Sequence, residues 1–226
     1  MITLTLASRT EIAEMQTTVT AHHYLHRPVD SRCSVEGYTV ALDGIPVGLL
    51  MFGRPEATRC GNWYGGVDDV IAGRCEVTRW QVLNLARVWF DPIVQPGGSL
   101  HEFTPGYRDR RGVWRSTLAS QAITSASLTI GRDYLVQRPP CFLDEPYQIE
   151  YLMSYCDRRL HRGVIYRAAG FEMYRVNANQ IETWRKRLRP LTPADDRDVC
   201  KASAMSPRSN RYRMERDRRT LQPPLL

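Results

Sequence analysis

The stretch YQIEYLMSYCDRRLHRGVIYRAAGFEMYR, residues 147–175, decides the fold of this chain. Apolar and polar side chains alternate over residues 149–155, which predicts a strand with one wetter face. A basic turn containing Gly163 follows, and residues 164–169 can form about two helical turns. Gly170 ends that helix, and a second strand follows. The stretch is therefore predicted to be strand, polar turn, short helix and strand.

Asp157 stands where the first strand of this stretch ends. In open α/β sheets, ligands bind outside the carboxyl ends of the strands, so this carboxylate is a candidate functional group. An ordinary turn with a solvated aspartate gives the same pattern. The residues alone leave both interpretations open.

The bulk properties predict a globular protein that neither crosses a membrane nor carries a secretory signal. The chain has 226 residues, of which 42% are hydrophobic, and this fits one domain with a tail or two small domains. It has no run of about 18 apolar residues and no basic segment before an apolar block at the N-terminus. We therefore expect a cytoplasmic protein without a membrane partner. Its six cysteines lack CxxC spacing, which favours reduced thiols.

The positive charge is carried almost entirely by arginine. The formal net charge is +7, and Lys186 and Lys201 are the only lysines. Guanidinium groups suit phosphate, either of a nucleic acid or of a nucleotide cofactor. Net charge alone does not decide between the two.

Residues 10–24 have helical periodicity and end in a histidine cluster before Pro28. His22 and His26 lie four residues apart, a spacing that can hold a metal, but no carboxylate or thiol is close in sequence. We assign no metal ligand, although a metal requirement stays open. His23 or Tyr24 can instead enter a cleft as an acid, a base or an orienting group, or the histidines can face water.

A hairpin and a long loop come next. Asp43-Gly44 lies between two apolar runs in residues 34–52, which is a strong signal for a two-residue turn. Residues 53–73 are rich in glycine and predict a long loop, which is either functional or an insertion without a role. Residues 76–90 then predict another strand.

Arg87 lies inside this last apolar strand. Burying an unpaired guanidinium is costly, so it needs a charged partner or an anion. Glu76 or Asp91 can pair with it, or it can face a cleft.

Basic residues precede a predicted helix over residues 112–128. Arg110 and Arg111, the free amides after Gly112 and the hydroxyl of Ser116 would make an anion-binding corner at its N-terminus. Many helices begin this way with nothing bound. The segment 134–136 then predicts a further strand.

The C-terminal region is rich in Arg, Pro, Asp and Ser and lacks periodicity. We expect a domain over residues 1–185 and a basic tail over 186–226, with residues 194–226 largely disordered or ordered by a partner. Such a tail can add salt-sensitive affinity for nucleic acid, or have no role.

The predicted order of helix, hairpin, long strand, helix, strand, helix and strand resembles the GNAT acyltransferase fold, which implies an α/β (α+β) fold with a central mixed sheet flanked by helices. A set of residues resembles the Mom family of phage DNA-modification proteins. The set consists of His23-Tyr24 near the start, Arg87 in RVWFDP, Asp157 after SY, and Tyr166 in GVIYRAAGF.

The resemblance to Mom covers roughly residues 12–176. It implies a transferase that converts the exocyclic amine of adenine in DNA to its carbamoylmethyl (glycinamide) derivative, which protects phage DNA from restriction in the host cytoplasm. The partner would be double-stranded DNA with a flipped adenine, because the amine cannot react inside the duplex. The donor is unknown, and acetyl-CoA and a charged glycyl-tRNA are both candidates. Binding of tRNA and a homodimer stay open.

Ordinary GNAT enzymes cradle the coenzyme A pyrophosphate with Arg/Gln-x-x-Gly-x-Gly/Ala. The corresponding segment here is RDRRGVWRS, residues 108–116, which has only one glycine. This departure favours the Mom family over a generic acetyltransferase. If a cofactor binds there, Arg110, Arg111, Gly112 and Ser116 would hold it.

The resemblance gives each candidate residue a role. Asp157 would act as general base or hold the amine, and Tyr24 or Tyr166 would donate a proton to an oxyanion or leaving group. Arg87 would clamp a carboxyl, carbonyl or phosphate, and His23 would relay a proton or ligate a metal. The aromatic residues that can stack on the base are Tyr24, Trp63, Tyr64 and Tyr166.

Two other classes of function compete with this hypothesis. One is a GNAT N-acetyltransferase that uses acetyl-CoA on a small-molecule or protein amine. The other is a non-catalytic nucleic-acid-binding protein, although a carboxylate in the cleft would repel phosphate.

Overall fold

A computed structural model of the protein describes residues 1–23, 25–30, 35–137 and 148–205, with side chains up to residue 202. The strands are β1 Ile2–Leu6, β2 Glu36–Leu42, β3 Ile45–Gly53, β4 Tyr64–Gly65, β5 Val77–Thr78, β6 Val82–Phe90, β7 Gly106–Arg108, β8 Trp114–Ser116, β9 Tyr151–Asp157, β10 Glu172–Val176 and β11 Ile181–Arg187. The helices are α1 Arg9–His22, α2 Val67–Ile71, α3 Leu118–Gln137, α4 Val164–Ala168 and α5 Pro193–Met205.

Seven strands form one mixed sheet in the order β1-β2-β3-β6-β9-β11-β10. Every neighbouring pair is antiparallel except β6 and β9, which run parallel at the centre. The strands β4 and β5 form a small parallel pair, and β7 and β8 form a hairpin outside the sheet.

Helices cover both faces of this sheet, as β3 shows by alternation. Leu50 and Phe52 belong to the main core that α3 covers, whereas Leu49 and Met51 pack in a second cluster with Met15 of α1. Successive side chains of a strand point to opposite faces, so a nearly continuous apolar strand indicates burial on both sides. The predicted fold class, a central mixed sheet flanked by helices, is confirmed.

Several local predictions are confirmed as well. The sequence offers Thr10 or Ser8 as the cap of the first helix, and in the structure Ser8 caps α1 through a capping box with Glu11. Asp43 and Gly44 have φ angles of 50° and 85°, which are the left-handed values that a tight hairpin turn requires. Gly170, at φ 80°, follows α4 as predicted.

Two sequence predictions around α3 are wrong. The helix begins at Leu118, because residues 106–116 form the β7–β8 hairpin. The segment 134–136 is the end of α3 and not a strand. Ile123, Ile130 and Tyr134 are buried at helical spacing, so core packing outweighs the local strand propensity.

The expectation of disorder from residue 194 onward is wrong for residues 194–205, which belong to α5. Val199 is 1% exposed and lies in the main core with Ile130 of α3. Asp195 accepts hydrogen bonds from Thr192 and Arg189 and so fastens the start of the helix. Residues 206–226 lie outside the described part of the chain.

Four of the six cysteines are described, and all four are free thiols: Cys60, Cys75, Cys156 and Cys200. None of the helices in the described ranges has the length and apolar character that a bilayer crossing needs.

Candidate active site

The two central strands, β6 and β9, pair with each other over only part of their length. The strands β6 and β9 pair only from Val82 to Asn84 and from Tyr151 to Met153. Beyond these residues β6 pairs with β3, and β9 pairs with β11. A gap therefore opens between two parallel strands that share a carboxyl edge, which is where α/β sheets bind ligands.

Two features shape the start of the gap. The hydroxyl of Ser154 donates a 2.9 Å hydrogen bond to the carbonyl of Leu85, which joins the strands where pairing stops. The register between β3 and β6 shifts by one residue opposite Met51 and Phe52. Such bulges bend a strand and re-aim the side chains beside it, here those around Ala86 and Arg87.

A cavity of about 790 Å³ occupies the gap. This volume is typical of small-molecule sites, which span about 300–1,000 Å³. The gap's strands contribute residues 84–90 and 154–157, the end of α1 contributes His22 and His23, and the basic turn and α4 contribute residues 161–166. Of these elements, β9, the basic turn and α4 belong to the stretch 147–175, whereas β6 and α1 lie outside it.

Arg87 lines the cavity and is 8% exposed. It donates to the carbonyls of Ala86 at 2.6 Å and of Arg27 and Pro28 at 3.3 Å each. These carbonyls, and not the predicted Glu76 or Asp91, receive its hydrogen bonds. They hold the guanidinium in place at the wall of the cavity.

His23 ends α1 and is buried beside Arg87. Burial first, and then the positive charge of Arg87, lower the pKa of His23 to about 4. Its Nδ1 accepts a 3.2 Å hydrogen bond from the amide of Leu25. The ring is therefore neutral near pH 7 and has its proton on Nε2, which makes it a donor.

Asp157 lines the cavity and also organises the turn that follows it. Arg159 donates to its carboxylate from Nε at 2.9 Å and from Nη2 at 2.6 Å, and the amides of Leu160 and His161 donate to its carbonyl. The hydrogen bonds from Arg159 lower the pKa of Asp157 to about 2. Such a weak base is a poor proton acceptor, but it is a permanent anion that can hold an amine.

Tyr166 lines the cavity from α4, with its ring 5.8 Å from that of Phe171 and 6.1 Å from that of Trp184. The turn before α4 depends on Gly163, whose φ is 62°. A Cβ at Gly163 would lie 2.4 Å from Cζ2 of Trp184. Close packing therefore fixes the turn, α4 and Tyr166 together.

Sequence reasoning missed Asn84, Ser154 and His161, which also line the cavity. Asn84 is 9% exposed, and its Oδ1 has no hydrogen-bond partner among the described residues. The signal available beforehand was a polar amide in the middle of the apolar run VLNLARVWF. Such a residue needs an explanation when it is buried.

The predicted anion corner is not built as expected. Gly112, at φ 74°, lies in a hairpin turn six residues before α3, so no helix amides follow it directly. The hydroxyl of Ser116 already accepts hydrogen bonds from Thr104 and from the amide of Leu118. Arg110, Arg111, Gly112 and Ser116 are not among the residues that line the cavity. Their assignment to a cofactor stays a prediction without the helix argument.

Two of the predicted stacking residues lie elsewhere, and one site residue lies outside the described ranges. Trp63 and Tyr64 are 0% exposed and belong to a separate apolar cluster with Met153. They are core residues, and the expectation that they stack on a base is wrong. Tyr24 is outside the described residues. No group of three or more His, Cys, Asp or Glu side chains in those ranges is placed to hold a metal ion.

The arrangement combines a fixed cation, a fixed anion and neutral donors around one cavity. Asp157 can hold an amino group, while Arg87 and the Nε2–H of His23 can stabilise negative charge that develops on a carbonyl oxygen. Tyr166 lines the same cavity. These are the groups that transfer of a carbonyl-bearing group to an amine requires.

Comparisons with known proteins extend to the fold only. No family model matches the chain, and no curated protein does. Among solved structures, an aminoglycoside acetyltransferase AAC(6')-Ib in complex with coenzyme A and kanamycin has 14% identity and a TM-score of 0.45, covering 83% of this chain and 95% of that one. A GNAT family acetyltransferase from Bacillus cereus has 12% identity and a TM-score of 0.39, covering 85% and 99%. A CoA-dependent acyl-homoserine lactone synthase, MesI, has 11% identity and a TM-score of 0.41, covering 90% and 96%.

Proposed function

We propose that the protein is a transferase that modifies the exocyclic amine of adenine in DNA, in the manner that its resemblance to the Mom family implies. One observation carries the proposal: Asp157, Arg87, His23 and Tyr166, which come from three separate segments of the chain, line a single cavity between β6 and β9. The resemblance to the Mom family rests on these same four residues together with Tyr24.

The charges of the cavity suit an amine acceptor. The exocyclic amine of adenine is a weak nucleophile because its lone pair is delocalised into the ring. Asp157 would orient it through hydrogen bonds from the amine to the carboxylate, and its low pKa keeps that acceptor charged. The amine nitrogen would attack the donor carbonyl, and Arg87 and His23 would stabilise the oxyanion that forms. The bond to the leaving group would then break, with Tyr166 giving its proton to that group and regaining one from the amine. With a glycyl donor this step gives N6-glycyladenine, an isomer of the carbamoylmethyl derivative that would still have to rearrange to it.

Asn84 supports adenine as the acceptor base. Asparagine pairs with adenine through the N6 amine and N7, with its amide as acceptor and donor. Rotation about χ2 exchanges the two ends of the Asn84 amide, so it can present either to the cavity. An unsatisfied buried acceptor costs roughly 1–3 kcal/mol, and a ligand amine would remove that cost.

Whether coenzyme A can carry the donor group depends on how well the cavity and the segment before α3 fit it. The residues that line the cavity include Leu85 and Val88, whose apolar side chains can take an acyl arm. The pyrophosphate cradle does not fit, because the first amide of α3 is bonded to Ser116 and the segment before it is a hairpin. We therefore assign no step to coenzyme A, and a charged glycyl-tRNA remains the other candidate donor.

A second candidate function is N-acetyl transfer from acetyl-CoA to a small-molecule or protein amine. The observation in its favour is the pair of facing strand edges beyond Asn84 and Met153, which do not pair with each other. Such edges can bond an extended amide chain. This function predicts saturable acetyl-CoA binding and unmodified DNA.

The experiment is mass spectrometry of nucleosides from cells that express the protein. The wild type should yield a modified deoxyadenosine. Asp157→Asn should abolish it, because the amide cannot supply the negative charge. Asp69→Asn is the matched control, since Asp69 also pairs with an arginine, Arg74, at 2.9 Å but does not line the cavity.

The variants Arg87→Lys and Tyr166→Phe test the other two roles. Lysine keeps the buried charge at position 87 but loses the planar fork, and phenylalanine keeps the ring at position 166 but loses the hydroxyl. Both should lower the yield at least about tenfold, as is typical when a positioned acid or oxyanion donor is lost. Unmodified DNA from the wild type together with saturable acetyl-CoA binding would replace the proposal by the second candidate.

A further inference from the structure

The segment between β6 and α3 leaves the sheet at the rim of the cavity. Phe90 and Gln95, at its start, line the cavity. The segment then forms two short 3₁₀ turns and projects the β7–β8 hairpin, whose strands are mostly exposed. Neither the fold of the sheet nor the proposed chemistry gives this hairpin a role.

The tip of the hairpin is rigidly built. The carboxylate of Asp109 accepts hydrogen bonds from the amides of Arg111 and Val113 and from the side chain of Arg115. Arg108 donates to the carbonyl of Gly112 at 2.9 Å. A turn braced in this way holds its side chains in place before any partner arrives, which lowers the entropy cost of binding.

The hairpin has one packed face and one open face. Trp114 and Ser116 face the protein. The indole of Trp114 donates a hydrogen bond to the hydroxyl of Thr104, which in turn donates to the hydroxyl of Ser116. Tyr107 pairs with Arg115 across the strands, and side chains of such a pair share a face. Tyr107 is 58% exposed, so an aromatic ring stands in solvent beside a guanidinium.

The charge of the hairpin is positive and only partly compensated. Glu102 is paired with Arg108, and Asp109 with Arg115. Arg110 and Arg111, at the tip, form no ion pair within the described part of the chain and are exposed. The hairpin therefore offers two uncommitted cations next to an open aromatic face.

We propose that the β7–β8 hairpin contacts duplex DNA, with Arg110 and Arg111 on backbone phosphates and Tyr107 stacked against a base. The inference rests on the proposed function, which makes DNA the substrate. It adds the β7–β8 hairpin as a surface that binds this DNA. Stacked bases and phosphates are the chemistry that alternating aromatic and arginine side chains recognise. Arg110 and Arg111 form no ion pair among the described residues, so each can neutralise a backbone phosphate, which favours a polyanion as the partner.

The contact would also assist extrusion of the adenine. Flipping costs the stacking and pairing of the base, and a side chain that fills the vacated space recovers part of that cost. Tyr107 belongs to the segment between β6 and α3, which begins at the rim of the cavity. Its ring is exposed and can fill the space that the flipped base leaves.

The experiment measures the binding of a short fluorescein-labelled duplex to the full-length protein over a salt range of about 50–200 mM. The double variant Arg110→Ala/Arg111→Ala should weaken binding about tenfold and make the slope of log K against log salt less negative by roughly 2, about 0.9 per lost phosphate contact. The matched control is Arg9→Ala/Arg187→Ala, which removes the same charge from α1 and β11 and should leave the slope unchanged.

A duplex with 2-aminopurine in place of the target adenine tests Tyr107. Tyr107→Ala should reduce the fluorescence rise that accompanies flipping, without changing the salt slope, and Tyr107→Phe should behave as the wild type. The inference is overturned if the arginine variants bind like the wild type or if the control loses as much. The inference is also overturned if the wild-type protein does not bind the duplex. It is overturned as well if Tyr107→Ala changes the molar mass of the protein in solution, that is, its oligomeric state.

Nucleoside analysis of the same strains separates the two proposals. If cells yield modified adenine and the hairpin variants bind DNA as tightly as the wild type, the proposed function stands and the role of the hairpin is rejected. Loss of binding in the hairpin variants, with no modified adenine from the wild type, would sustain the hairpin and reject the function. Stronger competition by tRNA than by duplex DNA would assign the hairpin to RNA and reject the inference as stated.

Discussion

Gly163 ties the fold of the basic turn to the cavity, and its replacement by alanine has a cost that the structure predicts. The residue has φ 62°, and a Cβ there would lie 2.4 Å and 2.8 Å from two ring atoms of Trp184. A left-handed conformation costs alanine about 1–2 kcal/mol, and overpacking adds about 1–3 kcal/mol. We expect Gly163→Ala to lower the free energy of unfolding by about 2–5 kcal/mol.

Gly73→Ala is the matched control, because Gly73 has φ 68° and no atom lies within 4 Å of the position that its Cβ would take. It should cost only about 1–2 kcal/mol. Urea unfolding of both variants gives the comparison, and in a Trp184→Leu background the cost of Gly163→Ala should fall to that of the control. Equal costs for both variants in the wild-type background would refute the claim that Trp184 fixes the turn.

Three further predictions concern single residues. Asn84→Leu should abolish modification while leaving the free energy of unfolding unchanged or raising it by up to about 1 kcal/mol, because it removes an unsatisfied buried acceptor; a clearly destabilised variant in urea would show that the amide serves the fold. In the folded state the pKa of His23 is about 4, against 6.5 for an ordinary histidine, so the unfolded chain binds more protons between these two pH values. The contribution of His23 to the free energy of unfolding should therefore be complete above about pH 6.5 and fall by roughly 3 kcal/mol as the pH drops toward 4. His23→Gln should remove this part of the pH dependence of unfolding. Val199→Asp should lower the melting temperature strongly, with a cost of at least about 3 kcal/mol, since Val199 is 1% exposed in the main core; a melting temperature like that of the wild type would mean that α5 is not part of the folded domain.

The parts of the fold that follow from local chemistry were predictable. The capping box of Ser8, the Asp43-Gly44 turn and the end of β9 at Asp157 each depend on a few neighbouring residues. The order of elements then favoured a mixed sheet, and the structure confirms it. The gathering of Arg87 and Asp157 around one cavity follows from the parallel pairing of β6 and β9, which no local pattern encodes.

The wrong predictions concern segments whose structure depends on contacts that local propensity does not show. The segment 134–136 has strand-forming residues, but Tyr134 is held in α3, where its ring lies in the main core. The polar sequence of α5 hides two buried residues, Val199 in the core and the capping Asp195. Gly112 lies in a hairpin turn and not at a helix start, because Asp109 braces that turn through hydrogen bonds from two backbone amides.

The role of Asp157 also needed the structure. Its position at the end of a strand was clear from the sequence, but its pairing with Arg159 was not. That pairing lowers its pKa to about 2 and favours a holding role over that of a general base. Asp157 therefore organises the turn, and its role as a site residue stays a prediction.

The most direct test of the proposed function is a crystal structure of the protein bound to a DNA duplex. We expect one adenine extruded from the duplex and seated between β6 and β9, with its exocyclic amine within hydrogen-bond distance of the Asp157 carboxylate or the Asn84 amide. An adenine that stays stacked in the duplex, or one seated away from these two strands, would contradict it.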